Sequence, residues 1–135
     1  MFKKKVTYTD YNGQERTEDF YFNLSRSELI MLESTTPGGY AAMLQRIIDS
    51  KDQRQLMNEF TNLIKMSYGV KSEDGKHFIK NEEVVNDFLN SAAFDQMFLE
   101  FFTDENAASD FANGVLPSSV NNDNDRQKFA VVDQK

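Results

Sequence analysis

Along the first two dozen residues, apolar and polar side chains alternate on either side of Asn12-Gly13, with Phe2, Val6 and Tyr8 before it and Phe20, Phe22 and Leu24 after it. An Asn-Gly pair between two β-rich runs signals a hairpin. Loop parity decides its register. A two-residue loop would set Val6 opposite Asp19 and Tyr8 opposite Thr17, leaving Phe20, Phe22 and Leu24 on the wrong face. A three-residue loop, Tyr11-Asn12-Gly13, with Gly13 in the left-handed conformation of a G1 bulge, gathers all six apolar residues on one face. The pattern therefore predicts the bulged hairpin.

After Leu24 the apolar period changes from two to that of a helix. Ser25 stands where an N-cap belongs, Glu28 three residues later closes a capping box, and Leu24 is placed to staple onto Leu29. The stretch Thr35-Thr36-Pro37-Gly38-Gly39 breaks this helix, and Tyr40, Met43, Leu44, Ile47 and Ile48 recur at helical spacing up to Ser50. A third helix carries Leu56, Phe60, Leu63, Ile64 and Ser67 along one stripe, with Gly69 as its expected C-terminal glycine. A turn at Ser72-Glu73-Asp74-Gly75 then returns the chain, and Phe78 and Ile79 read as buried anchors of a connector between two helical halves. Asn81 caps a helix with Val84, Val85, Phe88 and Leu89; Phe94, Met97, Phe98, Phe101 and Phe102 form the next stripe. Thr103 reads as the cap of a last helix with Ala107, Ala108 and Phe111, ended by Gly114 and Pro117. The remaining stretch is polar and has no sustained period.

The fold class expected is α+β: a mainly α-helical single domain over residues 1–117, with an N-terminal β-hairpin, and a polar C-terminal tail over residues 118–135. The length of 135 residues suits one domain with a modest core. The absence of Cys removes disulfides, a thiolate nucleophile and thiolate metal sites. The basic start, "MFKKKVTYTD", runs into alternating polar residues rather than an apolar leader, and no apolar run is long enough to cross a bilayer, so no membrane association is expected.

Charge alters the picture more than composition does. Residues 1–80 carry 12 basic and 11 acidic side chains, whereas residues 81–125 carry ten acidic ones and no Lys or Arg, within a formal net charge of −7. Such a surface repels phosphate backbones, so no nucleic-acid partner is expected there. A basic or amphipathic protein partner fits better.

In "SYGVKSEDGKHFIKNEE", residues 67–83, two glycines precede Lys76. A phosphate-binding loop needs four residues between its glycines and a hydroxyl after the lysine. Here there are five, His77 replaces the hydroxyl, and no β-branched strand precedes Gly69. His77, the chain's one histidine, has no evident relay partner. Glu82, Glu83 and Asp87 form a carboxylate group that the helix dipole favours without any metal. Ser67 and Ser72 lack a base, and the G-x-S-x-G elbow is missing. The reading expects no catalytic residue, no cofactor and no metal.

The stripe of Phe94, Met97, Phe98, Phe101 and Phe102 exceeds what one narrow helix seam requires. It reads as core or, alternatively, as a groove for an amphipathic helix of a partner, rimmed by its acidic neighbours. These five are the candidate partner-binding residues.

The run of residues 67–83, followed by "FLNSAAFDQMFLEFFTDENAASDFANGVLP" and preceded by "FYFNLSRSELIMLE", resembles the tail assembly chaperones of long-tailed (siphovirus-type) bacteriophages infecting Gram-positive hosts. The likeness covers roughly residues 5–117 and rests on S-Y-G, D-G-K-x-F-I-K and the closing F-x-N-G-x-x-P. It implies a non-enzymatic role in the host cytoplasm: keeping the tape measure protein soluble while tail tube subunits polymerise around it. It implies the tail tube protein and a longer frameshift product of the same gene as further partners, the junction falling within the polar tail. The alternative is an acidic inhibitor or nucleic-acid mimic acting on a DNA-binding enzyme, which would space carboxylates like phosphates along a ridge; a chaperone would offer an apolar groove. A small metal-dependent hydrolase ranks third.

Overall fold

In the computed structural model of the chain, which describes residues 1–116, β1 (Phe2–Thr9) pairs antiparallel with β2 (Glu15–Phe22). Val6 lies opposite Glu18 and Tyr8 opposite Arg16, the register of a three-residue loop. Gly13 takes a left-handed backbone, φ 81°, as the bulge requires. The Asp10 carboxylate organises the turn by accepting from the N–H groups of Asn12 (2.9 Å) and Gln14 (3.0 Å) and from Arg16 Nε (2.6 Å). Leu24 lies just beyond β2 but is buried with the hairpin's apolar face.

Helix α1 (Arg26–Thr35) starts at the expected capping box, with Ser25 and Glu28 each bonding the other's backbone. Helix α2 (Tyr40–Ser50) begins at Gly39, which has no side chain to cap it. Glu33 of α1 does so from a distance, its two carboxylate oxygens accepting from Tyr40 N (3.0 Å) and Ala41 N (2.9 Å). A carboxylate at a helix N-terminus satisfies orphan donors and complements the dipole. Helix α3 (Gln53–Ser67) is capped by Asp52, which accepts from Arg54 N and Gln55 N.

Gly69 departs from expectation. It lies inside β3 (Tyr68–Lys71), which pairs with β2, and it does not adopt a left-handed backbone. A Cβ there would meet Phe78 Cε2 at 2.6 Å and Ile79 O at 2.9 Å, so the glycine permits the close approach of β4 (Phe78–Ile79) rather than a helix stop. The connector is thus a second hairpin, completing an antiparallel sheet of order β1-β2-β3-β4. Ile79, expected as a buried anchor, is 41% exposed, and Phe78 is half-buried. The anchor is Lys80. Its ammonium donates to Asn23 O (2.9 Å), Met66 O (3.1 Å) and both Glu28 oxygens (2.8 and 2.6 Å), joining β4 to the end of α3 and the start of α1.

Asn81 caps α4 (Glu82–Leu89), and Ser91 caps α5 (Ala92–Thr103). The last described helix, α6 (Glu105–Val115), is capped by Asp104, which accepts from Asn106 N at 3.0 Å. Thr103, the expected cap, instead donates its hydroxyl to Leu99 O within α5. The two residues compete for one corner, and the carboxylate is the stronger acceptor at a helix N-terminus. Gly114 lies within α6 rather than ending it. Phe2 occupies the space a side chain would need there, since a Cβ on Gly114 would lie 2.5 Å from Phe2 Cδ2. Pro117 and the expected tail lie outside the described residues.

The helices cover the apolar face of the sheet, giving the mainly helical α+β fold. Phe22 is the hub: its ring meets Phe111 at 5.2 Å, Tyr68 at 5.6 Å and Phe88 at 5.8 Å. Tyr68 stacks on Phe88 at 4.2 Å, and Phe2 meets Phe111 edge-on at 5.4 Å. Edge-to-face and offset contacts of this kind add to the burial each ring already contributes.

Candidate functional site

Helix α5 is apolar at most of its positions, which is the pattern of a helix surrounded by protein on nearly every side. The molecule does not surround it. Met97 is fully buried, and Phe101, 7% exposed, lies between Phe60 (6.3 Å) and Phe111 (5.1 Å). Phe94 is half-buried, its ring 5.7 Å from Phe88 and 6.0 Å from Phe98. At the other extreme, Leu99 and Phe102 are 50% and 47% exposed.

Beside this open flank lies a groove of about 290 Å³. Phe60, Ile64, Phe101 and Ala108 are its buried floor; Ile48, Leu56, Met57 and Phe98 are half-buried walls, and Phe102 stands at its mouth. Of the five residues expected to contact a partner, the structure brings Phe98, Phe101 and Phe102 together here. Phe94 and Met97 do not line the groove, and Met97 has no surface to present.

The rim differs from the acidic one expected. Its charged residues are Asp49 and Lys51, one of each sign, accompanied by Gln53, Asn106 and Ser109. Glu100 of α5 is engaged elsewhere, 2.8 Å from Lys4 Nζ on β1. The acidic run in the sequence is real, but helical geometry spreads it over several faces, and Glu82 and Glu83 lie in the first turn of α4.

The far wall was harder to read from the sequence. Met57 is an apolar residue adjacent to Leu56 and outside the α3 stripe; that was the available signal. Its thioether suits a surface that receives varied apolar shapes.

The two serines considered for chemistry have structural tasks. Ser67 is buried and donates to Leu63 O at 2.5 Å. Ser72 Oγ accepts from His77 N and donates to Asp74, closing the β3–β4 turn. Among the described residues no three His, Cys, Asp or Glu side chains gather as a metal site, and no helix is long and apolar enough to cross a membrane. Tyr40 is the one described residue with a buried side-chain polar atom left without a hydrogen-bond partner, and burial, with Glu59 nearby, pushes its hydroxyl well above the usual tyrosine range.

A family model for phage tail assembly chaperones matches residues 1–135, the whole chain. No curated protein and no solved structure matches it.

Proposed function

The chain belongs to the phage tail assembly chaperone family, and from that premise we propose that it binds the tape measure protein through the groove between α3, α5 and α6, keeping that protein soluble in the host cytoplasm while tail tube subunits polymerise. The observation that carries the reading is the open flank of α5. Phe102 and Leu99 leave large apolar surface in water beside a preformed apolar groove, and contiguous patches of this kind mark interaction sites. An amphipathic helix laid along α5 covers both features, and a long helical partner supplies such faces repeatedly. The tail tube protein and a longer product of the same gene are further partners in this proposal.

The groove also supports this reading over the nucleic-acid mimic, which needs a ridge of exposed carboxylates rather than an apolar recess with a rim of mixed charge. Because the rim charges offset one another, binding should respond only weakly to added salt.

The test is co-expression with the tape measure protein and recovery of the complex. Phe102→Asp should reduce recovered tape measure protein by about thirtyfold, the scale of a hot-spot residue, with an unchanged helical signal. Full recovery with Phe102→Asp and with Phe98→Asp, both folded, would place the contact elsewhere. Phe101 is a poor probe, since it is core and its loss would unfold the domain.

A further inference from the structure

The same flank of α5 that borders the groove also has the shape to fill it. We propose that the free chain forms a two-fold dimer in which each copy inserts Leu99 and Phe102 into the other's groove, and that a tape measure segment displaces the second copy. The proposal rests on the reading of the groove as a docking site and adds its occupant before the partner arrives.

Three observations converge on a second copy. The first is the ridge. Leu99 and Phe102 are three residues apart, so they project from one helical face. No other described helix offers this: among the described residues the remaining exposed large apolar ones are Ile30 and Met31, adjacent on α1, Val70 and Ile79 on paired strands, and Met1 and Tyr11 outside regular structure. The second is volume. A groove of about 290 Å³ is roughly twice the ~150 Å³ cavity that accepts a benzene molecule, so it has room for two large side chains. The third is self-complementarity. Phe102 both forms the ridge and lines the groove, so ridge and groove share one surface. A two-fold axis then satisfies both at once and closes the assembly, whereas a ridge far from its groove would build an open chain.

Charge permits the contact. The chain carries a net charge of −7, so two copies repel one another on average. This rim carries Asp49 and Lys51, whose charges offset one another, so it lacks the net negative charge that would oppose a second copy.

The dimer hides from water the surface that the chaperone later offers, so the chain stays soluble while it waits. It also makes tape measure capture compete with self-association.

Sedimentation equilibrium of the full chain should give twice the 15.6 kDa of one copy. Leu99→Asp and Phe102→Asp should each halve that mass with unchanged far-UV circular dichroism, since both side chains are half exposed and not needed for folding. Because the chain has no cysteine, single-cysteine variants report proximity cleanly. Leu99→Cys should be joined to a second copy by a short bismaleimide, and Tyr11→Cys, in the hairpin turn, should not. A wild-type chain that stays at the single-copy mass up to its solubility limit overturns the dimer, as does a dimer indifferent to both aspartate variants or one joined at Tyr11→Cys and not at Leu99→Cys. The two readings fail separately. A monomeric chain that still captures the tape measure protein refutes the dimer alone; a dimer broken by Phe102→Asp with capture intact refutes the tape measure site alone.

Discussion

In the β1–β2 hairpin, the Asp10 carboxylate accepts three hydrogen bonds inside its own hairpin and eight cross-strand pairs follow, all between residues 2 and 22. The β3–β4 hairpin has two pairs, and its decisive contacts reach Asn23 and Glu28, far away in sequence, and Met66 at the end of α3. Both lie in one sheet. The first is organised by its own sequence; the second closes its own turn through Ser72 and Asp74 but is anchored to the molecule by Lys80. The second belongs to the tertiary structure more than to the strands that compose it, and it should form only after α1 and α3 are in place.

The largest test of that contrast is Lys80→Met. It keeps most of the apolar stem but leaves the carbonyls of Asn23 and Met66 without their donor and the Glu28 carboxylate without its cation. Unsatisfied acceptors of this kind typically cost about 1 to 3 kcal/mol, and equilibrium unfolding in urea should show a loss of about 2 kcal/mol or more. A loss indistinguishable from zero would mean that β4 is held by strand pairing after all.

Two glycine replacements sharpen the comparison further. Gly69→Ala drives a methyl group into Phe78 and the Ile79 carbonyl, where backbone must move, and overpacking of this kind costs about 1 to 3 kcal/mol. Gly13→Ala meets nothing within 4 Å, so only its left-handed backbone is strained, at about 1 kcal/mol. The first should loosen β4 and raise amide exchange there; the second should slow formation of the β1–β2 turn. Equal effects at both positions would remove the distinction between a glycine needed for space and one needed for conformation.

The same distinction explains what was legible in the sequence. The bulged register, the capping box at Ser25 and the cap at Asn81 follow from neighbours in the chain, and local chemistry decides them. Gly69 and Lys80 were not legible, because each is explained by an atom brought from another element, and the exposure of Ile79 follows from β4 lying at the edge of the sheet. Gly69 followed a helix, and a glycine in that place looks like a stop whether or not it is one. The candidate site divides in the same way. The stripe on α5 was visible as a surplus of aromatic residues, but which of them face a groove depends on where α3 and α6 pack. The stripe therefore separated into buried Met97, the groove residues Phe98 and Phe101, and exposed Phe102. The acidic run was visible as composition and misleading as geometry, since a count along the chain carries no information about which helical face each carboxylate occupies.

The smallest expected effect is a pH dependence, and it again sets the two hairpins side by side. Hydrogen bonding to Arg16, then to the backbone of Gln14, holds the Asp10 carboxyl below its ordinary value. At Glu28, burial pushes the carboxyl up, but Lys80 and Ser25 together outweigh it and leave it below the ordinary value of 4.5. A carboxyl depressed in the folded state adds stability that is fully present above its unfolded value and is lost as pH falls through the folded one. Glu28→Gln should therefore cost stability at neutral pH, and the difference from wild type should close as pH drops below the ordinary glutamate range. With the carboxylate 42% exposed, solvent screening limits the neutral-pH cost to about 1 kcal/mol. Asp10→Asn should behave with the same sign over the aspartate range. The two should part in the background of Lys80→Met. There the Glu28→Gln effect should shrink, because its main charged partner is gone, while the Asp10→Asn effect should be unchanged, because its partners are all within its own hairpin. Urea unfolding of the single and double variants between neutral and acid pH measures both couplings. If Lys80→Met alters the Asp10→Asn effect as much as the Glu28→Gln effect, the first hairpin depends on the second and the independence argued for it is wrong.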